Sequence, residues 1–162
     1  MSRLSLIYAA LAKREVSYTV GETVVTPAVD EPHELKASYL PAELPRRLLL
    51  PQVAYGAEAR QAHPTAWSAG QSVRVPWLVV DRLLMKPEGE GTGQFSDVAG
   101  ALIEYMDAYI EAMMTQAPLV AKTAIVSLDI YAAALEWPLM SGVFYWGAEA
   151  VLQVEDQRAI IG

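Results

Sequence analysis

Glu104, Asp107 and Glu111 recur at spacings of three and four, the interval that brings side chains onto one face of a helix. Such a row could hold a divalent cation or carry out acid–base work. Helical carboxylate metal sites, however, draw a histidine from a Glu-x-x-His step. This chain has no such step and only two histidines, His33 and His63. The row therefore reads as a stripe facing solvent or an interface. Gly89-Glu90-Gly91-Thr92-Gly93 lies between a strand-like and a helix-like segment, as phosphate loops do. Its spacing fits neither the dinucleotide fingerprint nor the P-loop, and Glu88 and Glu90 would repel a phosphate. His63 beside Pro64, with Ser68 and Ser72 nearby, lacks the Gly-x-Ser-x-Gly elbow of a hydrolase. The chain has no cysteine, which removes thiolate nucleophiles, thiolate metal sites and disulfides together. No catalytic residue, metal ligand or cofactor site is expected, and the chain does not read as an enzyme.

The aromatic residues offer binding rather than reaction. Trp77 and Trp146 fall in strand-like runs and are expected to pack against helices. With Tyr109 they could instead line a pocket beside a sheet, which would make the chain a small-molecule-binding domain. Trp67 and Trp137 fall in loop-like stretches, where large aromatics often anchor protein–protein contacts. These two are the candidate interface residues.

Charge narrows the partners. The net charge is −7 over 162 residues. Residues 1–81 carry eight bases and eight acids, so the whole imbalance lies in residues 82–162, with four bases and eleven acids. Phosphate contacts need lysine and arginine, so specific DNA binding is not expected. Apolar types make up 53% and charged types 19%, an apolar excess for so short a chain, which suggests contact with other subunits. The opening Met1-Ser-Arg-Leu-Ser-Leu-Ile-Tyr is broken by Ser5 and lacks a signal peptide's long apolar core, predicting a cytosolic origin.

Several elements must position these residues. Leu4, Ile7, Tyr8 and Leu11 predict a short helix to about Lys13, capped by Ser2. From about Val16 to Gln71 the chain meets Pro27, Pro32, Pro41, Pro45, Pro51 and Pro64. Proline lacks a backbone donor and biases its predecessor away from helix, so residues 16–71 are expected to be largely irregular and partner-contacting. Within this arm Arg46–Leu50 could form a strand ending at Pro51, while residues of about 22–44 and 54–71 should order only against neighbouring subunits. Val73–Met85 predicts a long strand, with Pro76 implying an edge position or an early bulge. Ser96-Asp97 then opens a helix to about Met114. Ser96 is the expected cap, and Val98, Leu102, Tyr105, Met106, Tyr109, Ile110 and Met113 form the inward face. Two strands with a period of two follow. Ala124, Val126, Leu128, Ile130 and Ala132 face inward on the first; Phe144, Trp146, Ala148, Ala150, Leu152 and Val154 do so on the second. A turn over 136–142 joins them. The whole predicts a single α+β domain spanning 1–162: a small, mostly antiparallel four-stranded sheet, two helices on one face, and a long proline-rich arm.

This order of elements resembles the tail terminator (tail completion, or head–tail joining) proteins of long-tailed bacteriophages. The likeness rests on the first helix, on Asp81-Arg82-Leu83-Leu84-Met85-Lys86-Pro87 closing a long strand, and on Tyr105-Met106-Asp107-Ala108-Tyr109 in the helix. The closing hairpin adds Trp137-Pro138, Ser141-Gly142, Tyr145-Trp146-Gly147 and Glu149. The resemblance implies a virion structural protein, assembled in the host cytoplasm, that forms a homo-oligomeric ring, by implication a hexamer. Such a ring caps the tail tube, contacts tube and neck or connector proteins, and lets DNA pass without binding it specifically; no membrane is involved. A neighbouring reading is another minor neck or connector protein of the virion. An acidic lumen would keep DNA from sticking, and Glu104, Asp107 and Glu111 are the candidate lumen-facing acids.

Overall fold

The computed structural model describes residues 1–51, 66–67, 72–89, 94–115 and 117–159. Helix α1 (Arg3–Lys13) begins as expected, with the Ser2 hydroxyl accepting from the Ser5 N–H at 3.0 Å. It buries Ile7, Tyr8 and Leu11. A small antiparallel hairpin follows, β1 (Tyr18–Val20) and β2 (Thr23–Val25), turning at Gly21 with φ +61°. Next come β3 (Ala28–Asp30), β4 (Arg46–Leu50), the two-residue β5 (Ala66–Trp67) and the long β6 (Ser72–Pro87). Helix α2 (Phe95–Met114) then leads to β7 (Thr123–Glu136) and β8 (Phe144–Ala159).

The main sheet runs β3-β4-β6-β8-β7, and only the β3–β4 pair is parallel. The four expected strands are therefore present, but β3 lengthens the path to five and β5 pairs with the start of β6. Strand β8 follows one flank of β6 from Ser72 to Pro87, so β5 and β4 share the other flank. Pro76 falls between the stretches of β6 that they pair with. That gap lets an interior strand carry a residue with no ladder donor.

The proline-rich arm needs the larger correction. Its described part, through Pro51, folds back onto the body instead of waiting for a neighbour. The prolines fall at element boundaries: Pro27 just before β3, Pro32 and Pro41 opening single 3₁₀ turns, Pro45 just before β4, and Pro51 just after it. Proline suits the first position of a helical turn, where its missing donor has no partner to lose. Asp30 then fastens the excursion. Its carboxylate accepts from Arg46 Nε and a terminal guanidinium nitrogen at 2.8 and 2.6 Å, and from the Tyr39 hydroxyl at 2.6 Å. Residues 52–65 and 68–71 of the arm lie outside the described residues.

Both helices lie on one face of the sheet. There Ile7, Leu11, Val98, Leu102, Tyr105 and Tyr109 meet Leu49, Val79, Leu83, Ala150, Leu152 and Val154 in one core. Full burial of a leucine or valine contributes roughly 1.5–3 kcal/mol, so this face holds most of the apolar stabilisation. The opposite face has a smaller cluster of Tyr39, Leu48, Leu84, Leu135 and Tyr145. Alternation along β8 is as expected from Trp146 onward, but Phe144, expected to face inward, is exposed, and β7 carries a register shift between Ile125 and Ser127. The extra residue turns Ile125 toward the core and leaves Val126 49% exposed, the reverse of the expected pattern. In α2 the cap is Gln94 rather than Ser96, because Asp97 reaches back to accept the Gln94 N–H at 2.9 Å. Ile110 is exposed rather than inward-facing; at 3.6 residues per turn it sits roughly 120° from the Tyr105–Tyr109 line. Among the described residues no helix is long and apolar enough to cross a membrane.

Candidate functional site

Among the described residues, a dense polar cluster is buried beneath α2. Arg47 on β4 and Asp81 on β6 are diagonal neighbours on one sheet face, Arg47 lying opposite Leu83 and Asp81 opposite Leu49, and both side chains are fully buried. Their closest N–O distance is 2.6 Å. The Tyr109 hydroxyl donates to the same Asp81 oxygen at 2.9 Å. A further Arg47 nitrogen donates to the Arg14 carbonyl, just past the end of α1, at 2.7 Å. The guanidinium lies 5.7 Å from the centre of the Tyr109 ring. Burial first, then the Asp81 charge, pushes the Tyr109 and Tyr105 hydroxyls well above the usual tyrosine range, so both stay protonated. The cluster joins α1, β4, β6 and α2 through buried side chains.

Three further ion clusters serve the frame. Asp156 is fully buried between Arg3, at 2.7 Å, and Arg158, at 2.9 Å. Burial pushes its carboxyl up, but the hydrogen bonds and charges of the two arginines outweigh this and hold it below the usual range. Asp30 follows the same logic: burial opposes, Arg46 and Tyr39 prevail, and its carboxyl is also lowered. On the sheet face away from the helices, Glu149 joins Arg82 and the Tyr131 hydroxyl, and burial with that carboxylate pushes Tyr131 up to about 12.

The surface left over is more informative. Strand β7 ends the sheet, and among the described residues its outer edge pairs with nothing along fourteen residues. Those residues include no lysine, arginine or proline and only two acids, Asp129 and Glu136. Exposed edges of natural sheets are usually guarded by such residues; here the bulge near Val126 is the main guard. The edge leads into an apolar tip. Leu139 is 49% exposed and Met140 94%, and Val143 and Phe144 are exposed as well. The tip is nonetheless tied down. The Glu136 carboxylate accepts the N–H groups of Met140 and Gly142 at 2.6 and 3.2 Å, and the Ser141 hydroxyl donates to the Pro138 carbonyl at 2.6 Å. Met140 and Gly142 both hold positive φ, +61° and +76°.

Glu104, Asp107 and Glu111 are brought together on the exposed face of α2 as expected. They share it with Ile103, Ile110 and Met114, exposed by 61%, 42% and 50%. Trp137 is half-buried, packs against the Tyr39–Tyr145 cluster, and donates its indole N–H to the Lys36 carbonyl at 2.8 Å. It therefore anchors the chain's own arm. Only the backbone of Trp67 is described, pairing with Val73; its side chain, His63, Ser68 and the glycines at 91 and 93 lie outside the described residues. Trp77 and Trp146 are half-buried and pack against the core, and Tyr109 lies within it. The turn residues Leu139 and Met140 escaped sequence reasoning, although a proline–glycine turn filled with large apolar side chains was a signal for them.

Among the described residues, Glu31, His33 and Glu34 place ligand-type atoms within 4.8 Å of one another. The Glu34 carboxylate already accepts the Glu31 N–H at 3.0 Å, closing the 3₁₀ turn, so local turn geometry accounts for the grouping. No protein-family model matches the chain, and no curated protein is significantly similar to it in sequence.

Proposed function

We propose that this chain is a virion structural protein of the tail-terminator kind, forming a ring that caps the tail tube and joins it to the neck. The observation that carries the reading is the β7 edge with its apolar tip: a complete core is present, yet a long, weakly charged strand remains open to another chain. Subunits that repeat head to tail need two different complementary surfaces, and this hairpin supplies one of them. Glu104, Asp107 and Glu111 suit a channel that DNA must slide through, since like charge prevents sticking. Chemistry is not required of any residue in this reading.

The test is reconstitution. The purified chain, added to polymerising tube subunits of a long-tailed phage whose genome encodes it, should arrest growth and appear by electron microscopy as a ring on one tube end. Tubes that lengthen unchanged and carry nothing at their ends would refute it, and a ring found only on neck assemblies would make the chain another connector protein.

A further inference from the structure

We propose that the β7–β8 tip of one subunit docks in an apolar groove beside α1 of the next copy; this rests on the ring reading above and specifies its interface. The groove has a volume of about 510 Å³ and is lined by Leu4, Tyr8 and Ala9 of α1 and by Pro32 and Pro51, with Glu31 and His33 also on its wall. The Tyr8 hydroxyl donates to the Leu50 carbonyl at 2.8 Å, fixing the ring that forms the groove's inner wall. Apolar clefts of this size suit a few large side chains, and Leu139, Met140 and Phe144 are of that kind.

The two features occupy opposite corners of the sheet. The groove lies at the end of β4, where Leu50 pairs with Val80, whereas the tip lies beyond Tyr145, which pairs with Pro87. Seven steps along β6 separate these positions, about 23 Å at ~3.3 Å per residue. Groove and tip also lie toward opposite edges, beside β3–β4 and at β7. One molecule cannot fill its own groove with its own tip. A neighbour repeated in the same sense can, and each copy then both gives a tip and receives one, the head-to-tail arrangement that closes into a ring. Two-fold pairing of tips would leave every groove empty. The ties from Glu136 and Ser141 fix the tip before docking, which lowers the ordering cost of association.

The absence of cysteine from the chain makes the test direct. Met140→Cys and Ser5→Cys, combined in one chain and oxidised gently at high protein concentration or on tube ends, should give a ladder of dimers, trimers and larger species ending at the ring. Neither single variant should cross-link. Met140→Asp should weaken association at least tenfold while leaving the melting temperature unchanged. Cross-linking by Met140→Cys alone would overturn the proposal in favour of tip-to-tip contact. Rings visible by microscopy with no ladder above a Ser127→Cys/Ser5→Cys control would overturn it while leaving the ring intact. A wild-type chain that stays monomeric even with tube ends present would sink the ring reading and this interface together.

Discussion

Replacing Asp81 by alanine removes the partner of a fully buried arginine, and the cost can be worked from the contacts. Asp81 accepts from two nitrogens of Arg47 and from the Tyr109 hydroxyl. Without it, Arg47 keeps its bond to the Arg14 carbonyl and its place over the Tyr109 ring, but its charge loses the carboxylate that balances it. Breaking a buried pair from one side costs about 3–5 kcal/mol, a range that includes the orphaned Tyr109 donor at about 1–3 kcal/mol. For a chain of this size each kcal/mol moves the melting temperature by roughly 2–4 °C, so Asp81→Ala should melt about 6–20 °C lower. Urea unfolding followed by circular dichroism should show the same loss as a lower midpoint at unchanged slope. The double variant Arg47→Met/Asp81→Leu removes both charges and should regain most of that stability, because buried pairs can be exchanged for apolar residues at little net cost. Tyr109→Phe should cost about 1.5–3 kcal/mol, the range for a hydrogen bond to a charged group. A loss below about 1 kcal/mol in Asp81→Ala, or a double variant as unstable as the single, would refute the view that an uncompensated charge is what destabilises.

Three other outcomes follow from the fold. Asp30 and Asp156 titrate below their unfolded values, so their contribution is complete above about pH 4 and is lost as pH falls through the folded values; urea midpoints measured from neutral to acidic pH should fall in that window, and Asp30→Asn/Asp156→Asn should flatten the fall. Gly147→Ala places a methyl 1.8 Å from the Leu83 carbonyl oxygen, so β6 and β8 must part; the variant should lose at least about 1–3 kcal/mol, and a wild-type thermal midpoint would show that the strands can yield. Lysine at 104, 107 and 111 together should leave the circular dichroism spectrum unchanged yet reduce infectivity in a phage-complementation assay, and full infectivity would remove these acids from any channel.

Legibility in the sequence followed the physics of each element. The period-two pattern of β8 was readable because one face carries Trp146, Ala148, Ala150, Leu152 and Val154 while the other carries Glu149, Gln153 and Glu155. Strand β3 was not, since three residues give no period and its place is set by Asp30 meeting Arg46 sixteen positions later. The bulge in β7 was hidden because Ile125 and Val126 are equally apolar, so composition cannot say which turns inward. Proline positions were visible, but whether they break a segment or punctuate it depends on what lies between them. Arg47 and Asp81 left a trace that went unused: opposite charges set inside the apolar runs of two strands, each at the parity that faces the helices. Glu104, Asp107 and Glu111 were placed correctly because helical spacing alone decides it. The bond of Trp137 to its own arm was not legible, because a turn tryptophan can face solvent or its own chain, and Lys36 lies 101 positions away.

Helix α1 is fastened near both ends, by Arg3 to Asp156 at its start and by Arg47 to the Arg14 carbonyl just past its finish. Exchange of this helix between copies, the inexpensive route to swapped oligomers, would require both fastenings to open before any replacement formed. A ring of the proposed kind would thus unite finished folds rather than trade segments.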